Sequence, residues 1–580
     1  MQDQQYLSNL RHSTAHLLAA AVMELWPDTK RTIGPAIENG FYFDFDFKKP
    51  ISEDDFPKIE AKMQEILSSW DSFEAHTLTS IEAKKEYPGN EFKLELIEEF
   101  TKEGQSVTFY KSGNYWDLCK GGHVNNPKNE IGAFKLLSIA GAYWRGDEKN
   151  KMLTRIYGAA FATKKELEDY IHLLQEAQKR DHRKLGKELD LFVFSDLVGK
   201  GLPLFTPKGT ILRELINDFS QELRLKRGYQ KVWVPHITKN DLYKTSGHWD
   251  KFGDELFLVK SQETTDQLVM KPMNCPHHQQ IYASKTRSYR DLPIKYLETT
   301  TIYRDEKAGE LLGLSRVRAV TQDDSHSFCR IDQIESVYGE MIEIVKEFYA
   351  ALNMKFRARL SFRSNETPEK YLGDTDLWEK AQQILLSIAE KNNLEYFIAE
   401  GEAAFYGPKI DFMVQDALNR EWQLGTPQLD FVQPKRFKLK YIDSEGKEQT
   451  PVMIHFALAG ALERFLSVYI EHTAGAFPLW LSPLQLSILP IADRHTEYAQ
   501  KLATQFIEKG IRTDVNNDKE TLQAKIRAAT LQKTPFMGII GDKEIDQEGI
   551  SIRTREGKDL GIQKIDQFIM ELQEKIDKKA

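Results

Sequence analysis

Two pairs of soft metal ligands stand out in the first quarter of the chain. In "HSTAH", His12 and His16 are four residues apart in a segment with helical apolar spacing, and "CKGGH" places Cys119 and His123 at the same interval. Imidazole nitrogen and thiolate sulfur are ligands that zinc prefers. Three interpretations are open: a zinc tetrad, a structural cluster, or a reactive pocket.

A second chemical pattern lies in "TTIYRDEKAGELLGLSRVRAVTQDDSHSFC", which predicts a strand, a polar loop and a second strand. Arg304 and Glu306 fall at the end of the first strand, and Arg316 and Arg318 at the start of the second. Arginine forks bind phosphate oxygens and a glutamate accepts from an amino group, so this hairpin suits a nucleoside polyphosphate. A surface hairpin with ordinary ion pairs would carry the same residues.

A third pattern, "PVMIHFALAGALERFLSVYIEH", predicts a strand, a turn of small residues and a helix. Gly460 would permit close backbone approach, and Arg464 would lie one turn into the helix, near its positive end. A buried arginine at a helix start is also a common structural feature, so this pattern alone is weak.

Composition limits the class of protein that must position these groups. A chain of 580 residues exceeds a single hydrophobic core and predicts about three or four domains. Three cysteines exclude a disulfide framework and suit a reducing cytoplasm. No apolar run approaches the ~20 residues of a membrane span, so we expect a cytoplasmic protein without a membrane partner. The net charge of −8 neither indicates nor excludes a nucleic-acid partner.

The order of patterns predicts an α+β multidomain protein. Residues 1–162 mix short helices with strands such as "GFYFDFDF". Residues 163–189 are highly charged with a sparse apolar stripe and predict a linker helix. Residues 190–480 contain long aromatic strand patterns, including "GYQKVWVPHI" and "REWQLGTPQLDF", and predict a large sheet covered by helices. Residues 481–580 alternate strands and helices, as in a small α/β domain.

Taken together in order, these segments resemble the threonyl-tRNA synthetase family. The hairpin, the Arg464 segment and Pro235 in "GYQKVWVPHI" are similar to the three motifs of class II aminoacyl-tRNA synthetases. "KPMNCPHH", "RVRAVTQDDSHSFC", "FYGPKIDF" and "WQLGTPQLDF" are similar to the signatures of the threonyl enzymes, bacterial type. The resemblance implies an editing domain, an antiparallel class II catalytic core and an anticodon-binding domain. The ubiquitin-like domain that many members carry first is not matched in this sequence.

The resemblance implies a zinc site in the catalytic core, formed by Cys275, His326 and His455. One thiolate and two imidazoles leave a coordination position open for substrate. Zinc that takes the amino group and hydroxyl of threonine would exclude valine, which an apolar pocket rejects only by roughly 10²-fold. Serine keeps the hydroxyl and lacks one methyl group, worth about 1–3 kcal/mol, so a second site must hydrolyse seryl-tRNA.

The resemblance also implies how the core would bind its substrates, Mg²⁺-ATP, L-threonine and tRNA(Thr). Arg304 would stabilise charge during attack on the α-phosphate, and His248 in "SGHWDKF" would assist transfer to the tRNA ribose. The implied catalytic residues are Arg304, His248, Tyr406 and Lys409. The implied ATP-binding residues are Arg304, Glu306, Arg316, Gln423 and Arg464. The implied threonine-binding residues are Gln322, Asp324, Tyr406 and Gln428.

The same resemblance assigns roles to the two flanking domains. The implied editing residues are His12, His16, Lys93, Asp117, Cys119 and His123. Alanyl-tRNA editing domains bind zinc with this pattern, whereas the threonyl version is described as metal-free, and the sequence leaves both possibilities open. Glu544 and Arg553 would read anticodon bases by directional hydrogen bonds. The Pro235 segment implies a homodimer.

Four residues depart from the family pattern, at Val320, Leu312, His277 and Lys519. Val320 replaces a phenylalanine that would stack on adenine, which predicts weaker ATP binding. Leu312 replaces a histidine in the ATP loop, His277 replaces a glycine beside Cys275, and Lys519 replaces an asparagine that contacts the anticodon. A non-catalytic RNA-binding paralogue and a class II relative for proline or serine are the alternatives.

Overall fold

The structure is a computed structural model that describes residues 4–101 and 106–579, the side chains of residues 252 and 254 apart. The chain forms two compact units, Met1–Gln175 and Glu176–Ala580. The division falls inside the helix Lys164–Arg180.

Among its described residues, the first unit contains two antiparallel sheets and several helices. Its larger sheet consists of the strands Lys30–Arg31, Ala36–Ile37, Gly40–Asp46, Ala133–Tyr143 and Met152–Phe161. Its smaller sheet consists of Glu74–Leu78, Val107–Ser112 and Tyr115–Leu118. Its helices are Gln4–Leu25, Phe56–Leu67, Ser80–Lys85, Glu91–Phe100, Pro127–Glu130 and the start of Lys164–Arg180, with short 3-10 helices at Glu53–Asp55 and Trp144–Gly146.

The first helix, Gln4–Leu25, carries His12 and His16 and is buried from Ser13 to Val22. Its apolar residues pack with Phe41, Phe43 and Phe45, which confirms the alternating strand predicted for "GFYFDFDF". His16 lies on the buried side of this helix, and His12 lies one turn earlier.

A nine-stranded, mostly antiparallel sheet dominates the second unit. Its strands, in spatial order, are Gln230–Lys231, Ile294–Tyr303, Ala319–Cys329, Val452–Ala461, Thr426–Asp430, Lys409–Gln415, Lys355–Phe362 and Tyr396–Glu400, with Glu421–Gln423 paired to Lys409–Gln415. The flanking helices are His182–Glu188, Pro207–Leu225, Asp241–Ser246, His248–Phe252, Cys275–Ala283, Ile334–Ala351, Thr375–Lys391, Gln433–Arg436 and Leu462–Thr473. The sheet and its helices enclose the largest apolar core.

The second unit also contains short strands and short 3-10 helices. The short strands are Phe192–Val193, Leu204–Phe205, Ile237–Lys239, Leu258–Val259, Leu268–Met270, Tyr441–Ile442 and Glu448–Gln449. The short 3-10 helices of the whole unit are Gly253–Glu255, Ala308–Glu310, Ile331–Gln333, Pro368–Lys370 and Asp493–His495.

The end of the chain is a five-stranded α/β layer, as the sequence predicts. Its strands, in spatial order, are Thr513–Val515, Leu486–Pro490, Phe536–Ile540, Gly549–Thr554 and Asp559–Lys564. The first three run parallel to one another, the fourth pairs antiparallel with the third, and the fifth pairs antiparallel with the fourth. Its helices are Thr496–Glu508, Leu522–Leu531, Asp542–Asp546 and Ile565–Asp577.

Three local features differ from the sequence expectation. The charged segment 163–189 forms two helices, because the backbone leaves the helical region at Asp181. The Asp181 carboxylate accepts from the backbone N–H of Arg183 and so caps the second helix, His182–Glu188. The strand expected in "GYQKVWVPHI" is divided: Gln230–Lys231 pairs with the central sheet, and Ile237 begins the strand Ile237–Lys239 of another sheet. Pro235, which offers no N–H to a sheet, lies between the two. Gly460 lies within the strand Val452–Ala461, at φ +73°, rather than in a separate turn.

Candidate functional site

Strand register assembles one row of polar side chains across the central sheet. His326 pairs with His455 on the adjacent strand, and His455 pairs in turn with Gln428. Gln428 pairs with Lys409 on the following strand. Residues paired in register project from the same face of a sheet, so four predicted site residues share one surface.

Cys275 completes this row from the first turn of the helix Cys275–Ala283. The ligand atoms of Cys275, His326 and His455 (the Cys275 cluster) all lie within 4.8 Å of one another. Nε2 of His326 lies 3.0 Å from Nδ1 of His455, and all three side chains are buried. One sulfur and two converging imidazole nitrogens fit the ligand set of a zinc ion with an open position.

The outward nitrogens of both imidazoles have partners. Nε2 of His455 lies 2.9 Å from Oδ2 of Asp430. Nδ1 of His326 lies 2.8 Å from Nδ1 of His278, whose Nε2 lies 3.3 Å from Oε2 of Glu298. Such partners orient metal-binding imidazoles and make them stronger ligands, which supports the fit to zinc.

Three of the predicted threonine-binding residues, Tyr406, Gln428 and Asp324, lie beside the Cys275 cluster, and the fourth, Gln322, lies on the same strand as His326. The Tyr406 ring stacks on His455 with centroids 4.8 Å apart, and its hydroxyl donates to Oε1 of Gln428. Asp324 is buried and accepts from Nδ2 of Asn274 at 3.0 Å. Burial raises the pKa of the Asp324 carboxyl. Oε1 of Gln322 is buried without a partner among the described residues, which leaves an acceptor for a ligand.

His248 lies at the start of its short helix, close to the tyrosine of this site. Its ring centroid is 6.4 Å from that of Tyr406 and 5.4 Å from that of Phe405. Nδ1 of His248 lies 2.7 Å from Oγ of Ser246. Burial, reinforced by His455 and Arg304, lowers the pKa of His248 to about 3, so the imidazole is neutral at physiological pH.

Most predicted ATP-binding residues lie after the strand Ile294–Tyr303 or on the helix Leu462–Thr473. Arg304 follows the strand Ile294–Tyr303. Its charge adds to the burial that lowers the pKa of His248, and it opposes the burial that raises the pKa of Tyr406. Nη2 of Arg316 lies 2.8 Å from Oε2 of Glu306, so the ion-pair interpretation of the hairpin also holds. Desolvation, together with Arg316, lowers the pKa of Arg464, which is the third residue of its helix. Two neighbouring guanidiniums favour a polyphosphate between them.

Lys409 and Gln423 belong to a network around the buried carboxylate of Asp411. Nζ of Lys409 lies 2.9 Å from Oδ2 of Asp411, and Nε2 of Gln423 donates to Oδ1 at 2.8 Å. Arg359 donates to both Asp411 and Gln423. The carboxylate therefore fixes two predicted site residues relative to each other.

In the first unit, the four predicted ligands of the N-terminal pattern do meet. Ligand atoms of His12, His16, Cys119 and His123 (the Cys119 cluster) lie within 4.8 Å of one another. Sγ of Cys119 lies 3.3 Å from Nε2 of His123 and 3.6 Å from Nε2 of His12. Burial lowers the pKa of His123 to about 3 and raises that of Cys119 to about 11. The cluster is therefore a set of neutral imidazoles beside a neutral thiol.

The Cys119 cluster borders a cavity of about 760 Å³ that also reaches Lys93 and Asp117. Nζ of Lys93 lies 2.9 Å from Oδ1 of Asp117, and Nε of Arg31 lies 3.2 Å from the same oxygen. The hydroxyl of Tyr115 donates to the other oxygen at 2.8 Å. Although burial opposes ionisation, the two cations lower the pKa of Asp117. The six predicted editing residues thus line or adjoin one cavity.

The predicted anticodon-reading residues lie on neighbouring elements of the C-terminal layer. Glu544 is 8% exposed, and its carboxylate accepts from the backbone N–H of Gly541 at 2.8 Å. Arg553 lies on the strand Gly549–Thr554, opposite Met537. Their roles stay predictions.

The sequence interpretation missed several residues that organise these sites. His278 and Asp430 lie inside the segments "NCPHH" and "PQLDF", where a second imidazole and a carboxylate beside proposed ligands were the available signal. Asp411 likewise lies inside the quoted segment "FYGPKIDF", beside the predicted Lys409. Glu298 and Arg31 carry no such signal, because an alternating strand pattern does not distinguish a buried functional acid or arginine from a surface one.

Comparison with known proteins identifies the class first. The tRNA synthetase class II core domain (G, H, P, S and T) matches residues 257–473, and the anticodon binding domain matches residues 485–575. The threonyl and alanyl tRNA synthetase second additional domain matches residues 107–157. The fold and these matches define a class II aminoacyl-tRNA synthetase with an anticodon-binding domain and an editing-type domain, as predicted.

Individual relatives narrow the class to one family. The threonine–tRNA ligase of Gloeobacter violaceus is 47% identical, over 100% of this chain and 94% of its own. That of Cytophaga hutchinsonii is 47% identical, over 99% and 90%. The crystal structure of the RNA binding domain of threonyl-tRNA synthetase from Cryptosporidium parvum superimposes with a TM-score of 0.65 at 35% identity, over 68% of this chain and 98% of its own. The chain belongs to the threonine–tRNA ligase family and is an enzyme of that family.

The anticodon-binding and core domains imply that the enzyme binds tRNA and ATP. Among the described residues, we find no helix with the length and apolar character needed to cross a bilayer.

Proposed function

We propose that the enzyme activates threonine as threonyl-adenylate, transfers it to tRNA(Thr), and hydrolyses seryl-tRNA(Thr) at the Cys119 cluster. The observation that carries this proposal is the buried Cys275 cluster, set among a hydrogen-bonded tyrosine, a glutamine and an aspartate. Zinc bound by Cys275, His326 and His455 would supply a Lewis acid that selects an amino acid with a β-hydroxyl.

The chain's own residues orient the amino acid. Gln428 accepts from the Tyr406 hydroxyl, which fixes the phenol over His455 and closes one side of the site. Asp324 offers a carboxylate for the ammonium group, and Gln322 an amide oxygen without a partner among the described residues. The site therefore combines a charged end with directional polar groups.

Arg304 would hold the α-phosphate while Arg316, Glu306 and Arg464 hold the rest of Mg²⁺-ATP. Preorganised guanidiniums stabilise charge that develops during adenylate formation. After activation, His248 would take the proton of the attacking ribose hydroxyl. Its depressed pKa keeps the imidazole deprotonated at physiological pH, and it also makes the ring a weaker base than a solvated histidine.

In the editing pocket, Asp117 and Lys93 form a buried ion pair beside imidazoles that are neutral. Neutral imidazoles accept a proton from water, and the Lys93 ammonium attracts developing negative charge on the ester. This arrangement supports hydrolysis by a held water molecule.

The remaining proposals concern assembly and domains. A homodimer through the Pro235 segment is supported by Trp233, whose side chain is 74% exposed although it is apolar and lies two residues before Pro235. We keep the domain limits 1–162, 163–189, 190–480 and 481–580 as proposals, with the last domain reading the anticodon through Glu544 and Arg553.

ATP–pyrophosphate exchange tests the synthetic function and separates the alternatives. We expect exchange with threonine, weaker exchange with serine, and none with valine or proline. A stronger response to proline, or to serine over threonine, would assign the chain another specificity. Absence of exchange with every amino acid would leave the RNA-binding paralogue as the better interpretation.

A further inference from the structure

The turn between the two strands of the arginine hairpin is tied to the helix that carries Arg464. This turn, residues 312–316, closes with a backbone hydrogen bond from Ser315 to Leu312 at 2.9 Å. Oγ of Ser315 donates to Oγ of Ser467 at 2.9 Å. The backbone N–H of Leu314 donates to Nε2 of His182 at 3.1 Å.

His182 is itself held by a carboxylate on the Arg464 helix. Nδ1 of His182 lies 2.7 Å from Oε1 of Glu471, and the backbone N–H of His182 donates to the same oxygen at 3.1 Å. Nη2 of Arg420 donates to the other oxygen at 2.5 Å. The His182 and Glu471 side chains are 4% and 11% exposed.

This arrangement fixes the tautomer of His182. Because the Leu314 N–H donates to Nε2, that nitrogen must be the acceptor, and the ring proton lies on Nδ1 and points at Glu471. The turn approaches closely: a Cβ at Gly313, where φ is +49°, would lie 2.2 Å from Nε2. The contact therefore requires both a glycine at 313 and an acceptor at the Nε2 position.

We propose that His182 is a positioning residue for ATP. Through Glu471 and the Leu314 N–H it locks the turn, and with it Arg316, onto the helix that presents Arg464. The inference rests on the proposed function, in which these two arginines bind one nucleotide. Neither His182 nor Glu471 needs to contact the nucleotide for this effect.

The test is ATP–pyrophosphate exchange by the full chain, with His182→Asn as the principal variant. The asparagine amide N–H replaces the Nδ1 donor to Glu471, but no acceptor remains for Leu314. We expect the KM for ATP to rise about tenfold, since a buried donor is left unpaired, while the KM for threonine stays within about twofold. His182→Gln, whose side-chain oxygen reaches toward the Nε2 position, should recover most of the ATP affinity.

A control variant and a stability measurement separate positioning from general destabilisation. His172→Ala removes an exposed histidine and should match the wild type in both KM values. A purely structural role for His182 would lower the active fraction and the melting temperature without separating the two KM values. That result, or an unchanged KM for ATP in a folded His182→Asn enzyme, would overturn the inference alone. Absence of threonine-dependent exchange in the wild type would overturn the proposed function and this inference with it.

Discussion

The Cys275 cluster and the Cys119 cluster use the same residue types in opposite electrostatic surroundings. Burial, reinforced by the carboxylates of Asp324 and Asp430, raises the pKa of the Cys275 thiol. Glu298 contacts His278, whose other ring nitrogen contacts His326. At the Cys119 cluster, the Asp117 carboxylate is shared by two cations, Lys93 and Arg31. Buried negative charge favours a divalent cation, whereas a locally positive pocket favours a developing oxyanion.

The imidazoles of the two clusters also differ in the charge of their hydrogen-bond partners. Asp430 accepts from His455, whereas at the other cluster His12 donates to the backbone carbonyl of Gly122 and His123 lies beside the Ser13 hydroxyl. Carboxylate partners strengthen an imidazole as a metal ligand more than neutral ones do. Ligand type and spacing alone therefore do not distinguish a metal site from a hydrolytic pocket.

Zinc stoichiometry gives the largest expected contrast. The wild type should hold about one zinc per chain, and Cys275→Ala should lose both the metal and threonine-dependent exchange. Cys119→Ala should retain both. Elemental analysis after gel filtration measures the zinc content per chain. Loss of zinc in Cys119→Ala, with zinc retained in Cys275→Ala, would assign the metal to the Cys119 cluster.

The complementary variant removes the imidazoles of the N-terminal helix. His12→Ala combined with His16→Ala should slow hydrolysis of seryl-tRNA(Thr) by about 100-fold, because the proton-accepting groups are gone. Threonine activation should be unchanged. Deacylation of purified seryl-tRNA measures the first effect and pyrophosphate exchange the second; loss of activation in this variant would show that the metal was assigned to the wrong cluster.

His278 tests whether the carboxylate-linked partner matters to zinc. His278→Ala should weaken zinc binding by about 10- to 100-fold, as removal of such partners commonly does. Competition with a chelator measures the affinity directly. His277→Ala is the matched control, because both ring nitrogens of the neighbouring His277 have no hydrogen-bond partner among the described residues. Equal losses of zinc affinity in the two variants would argue against a specific role for the His278–Glu298 contact.

Val320 tests whether the absence of an aromatic ring at this position weakens ATP binding. Val320 lies opposite Ile302 and is partly buried. Val320→Phe should lower the KM for ATP about fivefold, since an aromatic ring can stack on adenine. Exchange kinetics at saturating threonine provide the measurement, and no improvement would contradict the idea that the native valine weakens ATP binding.

The pH dependence of transfer gives the smallest expected effect. Because burial lowers the pKa of His248 to about 3, the protonated form accumulates only below that pH. The ratio of single-turnover transfer rates between the wild type and His248→Ala should therefore be constant from pH 5.5 to pH 8. A change in this ratio centred near pH 6.5 would show that His248 has the pKa of a solvated histidine during transfer.

Local patterns predicted much of the fold. The helix containing "HSTAH", the strand "GFYFDFDF" and the strands of the C-terminal layer follow from apolar periodicity, which reports burial on one face. The charged segment 163–189 was predicted as one helix, because periodicity continues across Asp181 and cannot show that its carboxylate caps a second helix.

By itself, the sequence determined the residue types available for chemistry and, through its ordered motifs, the family. It also placed His12 with His16, and Cys119 with His123, because residues four apart are neighbours within a helix or a short loop. The family resemblance implied that Cys275, His326 and His455 form one site, and the fold shows how they and their buried partners meet. His326 and His455 come together through strand register, Cys275 through a helix start, and Glu298 and Asp430 through the strands beside them. The physical reason is that charge and hydrogen bonding in a buried site depend on distances across the sheet, which separation along the chain does not encode.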